Sequence, residues 1–282
     1  MRKSKALGQH FLSDRSILRK IVDIIAPQKD ELVIEIGAGK GALTFPLADR
    51  AGKVIAIEKD KAFMPLLREG KKHNLVLLEQ DVLRLDFHNL LADEAAFRGK
   101  VKLAGNLPYS ISSPLLFKVL EDKDLFSACV FLLQKEVAER LGAQPGSKNY
   151  AALSILFQLH FDIRLRLTLA PGAFSPPPKV RSTLVSLEKR PQPLFAIADE
   201  DRFRRFLRTA FAQRRKTLFN NLKSSPFPPD LLKESFRRLS LKETVRAEQL
   251  SIGQFVALFD LLGLALDFPL QPFGKGKGTS KV

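Results

Sequence analysis

The chain has 282 residues, which suits one large domain plus a smaller one, and 45% of them are hydrophobic, so a sizeable core is available and global disorder is excluded. A net charge of +16 and a pI near 10.0 point to a polyanionic partner: RNA, DNA or an anionic membrane surface. No apolar run approaches the ~18 residues of a membrane span. The basic start Met1–Lys5 is not followed by a signal-peptide core, so the chain reads as cytoplasmic and not membrane-bound.

Taken in order, residues 14–26 place Ile17, Leu18, Ile21, Val22, Ile24 and Ile25 at helical spacing behind a Ser13 or Asp14 cap. Leu32–Ile36 is then a short apolar strand running into Gly37. Helical patterns at 43–51, 60–70 and 113–121 alternate with strands at Val54–Ile57, Leu75–Leu78, Val101–Ala104 and Ala128–Leu133. Short apolar strands alternating with helices predict a parallel sheet covered on both faces. Phe161–Leu169 alternates strictly, and Val180–Leu187 follows a proline-rich loop, so the last two strands are expected to close the sheet as an antiparallel hairpin. The expected fold is α/β, with seven mostly parallel strands.

Pro191-Gln192-Pro193 reads as a linker. Beyond it, helical patterns near 201–211, 215–222, 229–238, 246–249 and 251–262 predict a small all-helical domain. The expected division is 1–190, 191–272 and a disordered basic tail, 273–282. The only cysteine, Cys129, lies in an apolar run and is expected to be buried. His10, His73, His88 and His160 show no metal-ligand spacing, so no metal site is expected.

Chemistry-bearing residues fall at the ends of the expected strands. Gly37-Ala38-Gly39-Lys40-Gly41 ends the first strand of the sheet, where glycines let a ligand approach the backbone. The spacing is G-x-G-x-G rather than the G-x-G-x-x-G of dinucleotide binders. Glu58 ends the second strand, placed to accept both hydroxyls of a ribose. Asp81 follows the third, placed to accept from an adenine amine. Asn106-Leu107-Pro108-Tyr109 ends the fourth. There the Asn106 side-chain carbonyl and the Leu107 backbone carbonyl can each accept one hydrogen of an exocyclic amine. Pro108 stiffens the turn, and Tyr109 offers a stacking face worth roughly 1–3 kcal/mol per base. Taken singly, each acid is equally a solvated strand end, and the turn an ordinary proline turn.

The ordered set resembles the S-adenosylmethionine-dependent methyltransferases of the Rossmann-like class. With Gly8-Gln9-His10-Phe11-Leu12 and Phe174-Ser175-Pro176-Pro177-Pro178-Lys179-Val180, it resembles the rRNA adenine dimethyltransferases. Phe211-Ala212-Gln213-Arg214-Arg215-Lys216-Thr217-Leu218 is most similar to the branch that modifies small-subunit rRNA. The resemblance covers roughly 4–265. It implies S-adenosyl-L-methionine as cofactor, held by His10, Leu12, Gly37, Glu58, Asp81 and Asn106. It also implies dimethylation of two adjacent adenosines in 16S rRNA of the 30S subunit or its precursor, by a monomer. The position of His10 is often Asn in the family.

An adenine N6 amine is a poor nucleophile because its lone pair is delocalised into the ring. Accepting both its N–H bonds favours a more tetrahedral nitrogen, and no strong base is needed because the methylated ammonium is itself acidic. The base must leave its stack to reach such a pocket. Tyr109 is then expected on one face and Phe174 on the other, against a plain packing role for Phe174.

Residues 191–282 carry 16 Lys and Arg against 9 Asp and Glu, so the smaller part is the more densely basic. Arg202, Arg204, Arg205 and Arg208, then Arg214, Arg215 and Lys216, are candidate phosphate contacts, and Lys3, Lys5, Arg15 and Arg19 a second patch. The alternative for each is a solvated helix face. Competing readings of the whole chain are an Erm-type enzyme acting on large-subunit 23S rRNA, a non-enzymatic rRNA-binding assembly factor and, more distantly, a dehydrogenase. Leu107 and the Arg214-Arg215-Lys216 run argue against the first, and the intact Asn106, Tyr109 and Glu58 against the second.

Overall fold

The computed structural model describes residues 10–70, 72–223 and 227–263. Lys3 and Lys5, Gly8 and Gln9, and the expected tail 273–282 lie outside them. By internal contacts the chain forms two compact units. The first runs to Gln144 and resumes at Leu153–Leu194, and the second comprises Pro145–Ala152 and the chain from Phe195 onward. The excursion at 145–152 has no counterpart in the linear division expected from Pro191-Gln192-Pro193.

The strands of the first unit are β1 (Phe11–Leu12), β2 (Leu32–Ile36), β3 (Lys53–Glu58), β4 (Leu75–Glu79), β5 (Val101–Asn106), β6 (Ala128–Gln134), β7 (Phe161–Leu169), β8 (Phe174–Ser175) and β9 (Ser182–Lys189). The helices around them are α1 (Arg15–Ile25), α2 (Thr44–Arg50), α3 (Met64–Glu69), α4 (Phe87–Leu91), α5 (Ser112–Glu121), α6 (Lys135–Leu141) and α7 (Ala152–His160). Asp14 is the cap of α1, and its carboxylate accepts from the Ser16 and Ile17 amides at 2.7 and 3.2 Å. The expected strand at 180–187 starts two residues later, at Ser182, which leaves Val180 and Arg181 on the loop.

The seven-stranded sheet has the order β4-β3-β2-β5-β6-β9-β7. The strands from β4 to β6 run parallel, while β9 is antiparallel to both β6 and β7. Period-2 alternation on β2 sends Val33 and Glu35 to one face and Leu32, Ile34 and Ile36 to the other. The first face packs against α1, α2 and α3 through Ile21, Val22, Leu47, Met64 and Leu67, all buried. Leu32, Ile34 and Ile36 are likewise buried, and Phe87 of α4 forms an edge-to-face pair with Phe126 at 5.3 Å. Cys129 is buried, and desolvation pushes its thiol up and away from reactivity.

Helices α6 and α7 occupy a stretch where sequence periodicity is silent. Nearly every side chain of α7 from Leu153 to His160 is buried, so there is no polar stripe to reveal a helical period. The second unit is helical, with α8 (Glu200–Ala210), α9 (Leu218–Leu222), α10 (Pro229–Arg238) and α11 (Ile252–Gly263). Its core is aromatic: Phe203 stacks edge-on against Phe259 at 5.1 Å, and Phe211 lies 5.5 Å from Phe255.

Candidate active site

The strand order reverses direction at β2, which pairs with β3 on one side and β5 on the other. The loops leaving β2 and β5 therefore diverge at the carboxyl edge and open a crevice, the position at which open α/β sheets bind ligands. A cleft lies there, lined by His10, Gly37, Gly39, Glu58, Asp81 and the whole turn Asn106–Tyr109. Residues far apart in sequence meet because each ends a neighbouring strand.

The glycines of the first loop serve geometry. Gly37 holds φ at 77° beside the Asn106 carbonyl, and Gly39 holds φ at 53°, a region that side chains rarely adopt. A Cβ on Gly39 would also stand 3.0 Å from the Phe11 ring. The Gly39 amide donates to Glu58 Oε2 at 2.7 Å, and the Asp60 amide donates to Oε1 at 2.8 Å. Glu58, only 4% exposed, is thus fixed by backbone with lone pairs to spare on both oxygens. Asp81 Oδ1 accepts from the Leu83 amide at 3.0 Å and Oδ2 from Lys59 Nζ at 2.8 Å. The Lys59 ammonium above all, with that amide, holds the Asp81 carboxyl below its ordinary range.

Beneath the loop, Glu35 is buried on β2. Desolvation, aided by the charge of Glu58 and opposed by the nearby Thr44 hydroxyl, raises it to about 7. Among the described residues, Glu35 Oε2 and Thr44 Oγ1 have no hydrogen-bond partner of good geometry.

At the other wall, Asn106 Nδ2 donates to the backbone carbonyl of His10 at 2.8 Å. A carbonyl can only accept, so this contact sets the amide orientation, and Oδ1 has no hydrogen-bond partner among the described residues. The Leu107 carbonyl is engaged in no hydrogen bond among the described residues. Pro108 O accepts from the Ile111 amide and the Ser112 hydroxyl, which fastens the turn to the start of α5. The Tyr109 hydroxyl shares a 2.8 Å hydrogen bond with Ser182 Oγ, and the His10 ring lies 5.6 Å from the Tyr109 ring.

Two expected site residues stand elsewhere. Leu12 and Phe174, opposite each other in the antiparallel pair β1–β8, are buried in the apolar core and do not line the cleft. Side chains alternate along a strand, so Leu12 turns inward and Phe11 outward. Phe11 is the lining residue, 5.5 Å edge-on from Phe63 and 5.2 Å from Lys40 Nζ. Period 2 puts the two on opposite faces, and the pairing of β1 with β8 decides which of them faces the cleft. Ile57, Lys59, Gln80 and Val82 also line the cleft and carried no distinguishing signal in the sequence.

In the second unit, the basic residues split. Arg202 and Arg205 are half-buried on α8, next in sequence to the buried Phe203 and Phe206. Arg208, Arg214, Arg215 and Lys216 are exposed, and the Arg214 guanidinium donates to the Lys148 carbonyl.

A sheet of this order, with its cleft at the β2/β5 reversal and strand-end Gly, Glu, Asp and Asn, defines a Rossmann-like methyltransferase. The family model described as ribosomal RNA adenine dimethylase matches residues 1–263, and the chain belongs to that family of rRNA-methylating enzymes. It is 44% identical over 262 residues to the protein named ribosomal RNA small subunit methyltransferase A of Geobacter metallireducens, covering 92% of this chain and 94% of that one. It is 41% identical over 263 residues to the protein of that name in Syntrophus aciditrophicus, covering 92% and 93%. Among solved structures, a dimethyladenosine transferase from Plasmodium falciparum superposes with a TM-score of 0.77 at 28% identity, over 90% of this chain and 98% of that one. The 23S rRNA methyltransferase ErmE reaches 0.68 at 23% identity, over 90% and 99%, a likeness of fold.

Proposed function

We propose that this protein uses S-adenosyl-L-methionine to dimethylate the N6 amines of two adjacent adenosines in a hairpin loop near the 3′ end of 16S rRNA. It acts in the cytoplasm, as a monomer, on the small subunit or its precursor during ribosome biogenesis. The observation that carries the reading is the Asn106 amide, whose nitrogen is tied to His10 and whose oxygen, like the adjacent Leu107 carbonyl, has no hydrogen-bond partner among the described residues.

The cleft suits an adenosine-bearing cofactor. Glu58 has spare acceptor capacity for ribose hydroxyls, Asp81 can accept from an adenine amine, and Phe11, Ile57 and Val82 supply apolar walls. Gly37 and Gly39 keep the loop bare of side chains. When bound, S-adenosylmethionine supplies an electrophilic methyl group. The chain's own residues then act on the target amine. Asn106 Oδ1 and the Leu107 carbonyl accept its two hydrogens, which frees the nitrogen lone pair from the ring. Tyr109 supports the extruded base by stacking, and its hydroxyl contact to Ser182 keeps that ring in place. A singly methylated amine fits the same acceptors with one given up. Phe174 serves from behind, by packing β8 against β1.

Arg208, Arg214, Arg215 and Lys216 are read as contacts to rRNA phosphates. Labelled methyl transfer to undermethylated small subunits, with mapping of the modified nucleosides, tests the whole reading. Dimethyladenosine in small-subunit rRNA is the expected product. Label confined to large-subunit RNA would replace this reading with the Erm-type one.

A further inference from the structure

The loop from Ser175 to Arg181 stands beside the amine clamp and has no role in the function proposed above. Each of its ends is fastened at, or next to, a residue that holds that clamp. At one end the Pro176 carbonyl lies 2.7 Å from His10 Nδ1, and the His10 backbone carbonyl is the one that holds Asn106. At the other, the Arg181 carbonyl accepts from the Lys135 amide at 2.9 Å, and the next residue, Ser182, holds the Tyr109 hydroxyl. Between these points Pro176, Pro177 and Pro178 have their φ angles set by their rings, and Pro178 is buried. The loop is stiff, and its position is tied to that of Asn106 and Tyr109.

This scaffold displays Lys179, Val180 and Arg181 to solvent. Neither cation has an ion pair or a side-chain hydrogen bond among the described residues, unlike neighbouring Lys135, which meets Glu139 at 3.5 Å. Val180, 44% exposed, sets an apolar side chain between them. Two residues of chain span at most about 7 Å, close to the step between neighbouring phosphates on one nucleic-acid strand. Two unpaired cations on a preorganised loop lose little freedom on meeting an anion. A solvated turn needs neither the stiffening nor the tether to the clamp.

We propose that Lys179 and Arg181 clamp the backbone phosphates flanking the adenosine held by Asn106, with Val180 against the intervening sugar. The loop thus couples RNA docking to the placement of the base. The inference rests on the function proposed above and extends its RNA contacts to the sheet unit. Phosphate contacts set the register of a nucleic acid and make its binding depend on salt.

The test compares the full-length protein with the K179Q/R181Q double variant and with K179R/R181K, which keeps the charge. Binding of S-adenosylmethionine by calorimetry and the melting temperature should match wild type in both, since neither residue lines the cofactor cleft. With undermethylated small subunits, K179Q/R181Q should raise KM about tenfold at moderate salt. It should also flatten the slope of log K against log salt by roughly 1.5–2, as two lost phosphate contacts require. K179R/R181K should restore both. A wild-type KM and salt slope in K179Q/R181Q would overturn the clamp. So would a loss seen with intact subunits but absent in binding to protein-free small-subunit rRNA, which would assign the loop to a ribosomal protein. If the wild-type protein methylates no adenine in small-subunit rRNA, it is the function proposed above that fails.

Discussion

The two units treat polar groups in opposite ways. In the sheet unit, Glu58, Asp81 and Asn106 are each held by a backbone or side-chain contact of 2.7–3.0 Å, so every acceptor has a set direction. In the helical unit, Arg215 and Lys216 lie exposed on long side chains. The contrast follows from the work each does. Moving electrons at a nitrogen atom requires atomic placement, which comes from rigid strand ends. Attracting a polyphosphate requires charge within a Debye length, which flexible cations supply at little cost.

The sharpest way to break the comparison is N106A. It should lower kcat for adenine methylation at least 100-fold, the scale of one lost oriented hydrogen-bonding group, while RNA binding stays near wild type. Equal loss of both would give Asn106 a structural role. The complementary variant R214Q/R215Q/K216Q should leave S-adenosylmethionine binding intact. It should weaken rRNA binding tenfold or more at moderate salt and flatten the salt slope by roughly 2–3. A fall in cofactor affinity instead would refute the division of labour.

A third test concerns the buried carboxyl under the glycine loop. Glu35 holds its proton to about pH 7 when folded but loses it near the ordinary glutamate value of 4.5 when unfolded. Between those values the native state binds more protons, so stability falls as pH rises and then levels off above 7. Across that window the group costs about 3 kcal/mol. E35Q removes the titration, so its stability relative to wild type should climb by that order between pH 5 and pH 8 in urea denaturation. A difference independent of pH would show that Glu35 ionises freely. The smallest effect is expected for K59M. The Lys59–Asp81 pair is half open to water, with Lys59 60% exposed, so S-adenosylmethionine affinity should fall only about threefold, and less at high salt. A loss that high salt leaves untouched would point to a steric cause.

Much of the sheet was legible because its strands are short apolar runs bounded by glycine or acid, as Leu32–Ile36 before Gly37 shows. Helix α7 was not, because burial on all sides erases the period. The site was legible as a set of strand ends but not in its inner shell. Phe11 and Leu12 are adjacent apolar residues, and only the pairing of β1 with β8 decides which of them faces the cleft. Likewise, Arg202 and Arg208 look alike in a basic helix, and only packing shows that Arg202 is half-buried while Arg208 is exposed.

The sequence by itself determined the alternation of strands and helices, the acids and amide at their ends, and the basic character of the helical part. These are properties of residue type and spacing along one line of chain. The tertiary structure decided that His10 orients Asn106, that Lys59 grips Asp81, and that the loop carrying Lys179 and Arg181 is tied to the amine clamp. Those contacts join residues 22 to 166 positions apart. No local propensity encodes them: they arise because the strand order reverses beside β2 and brings distant loops to one edge.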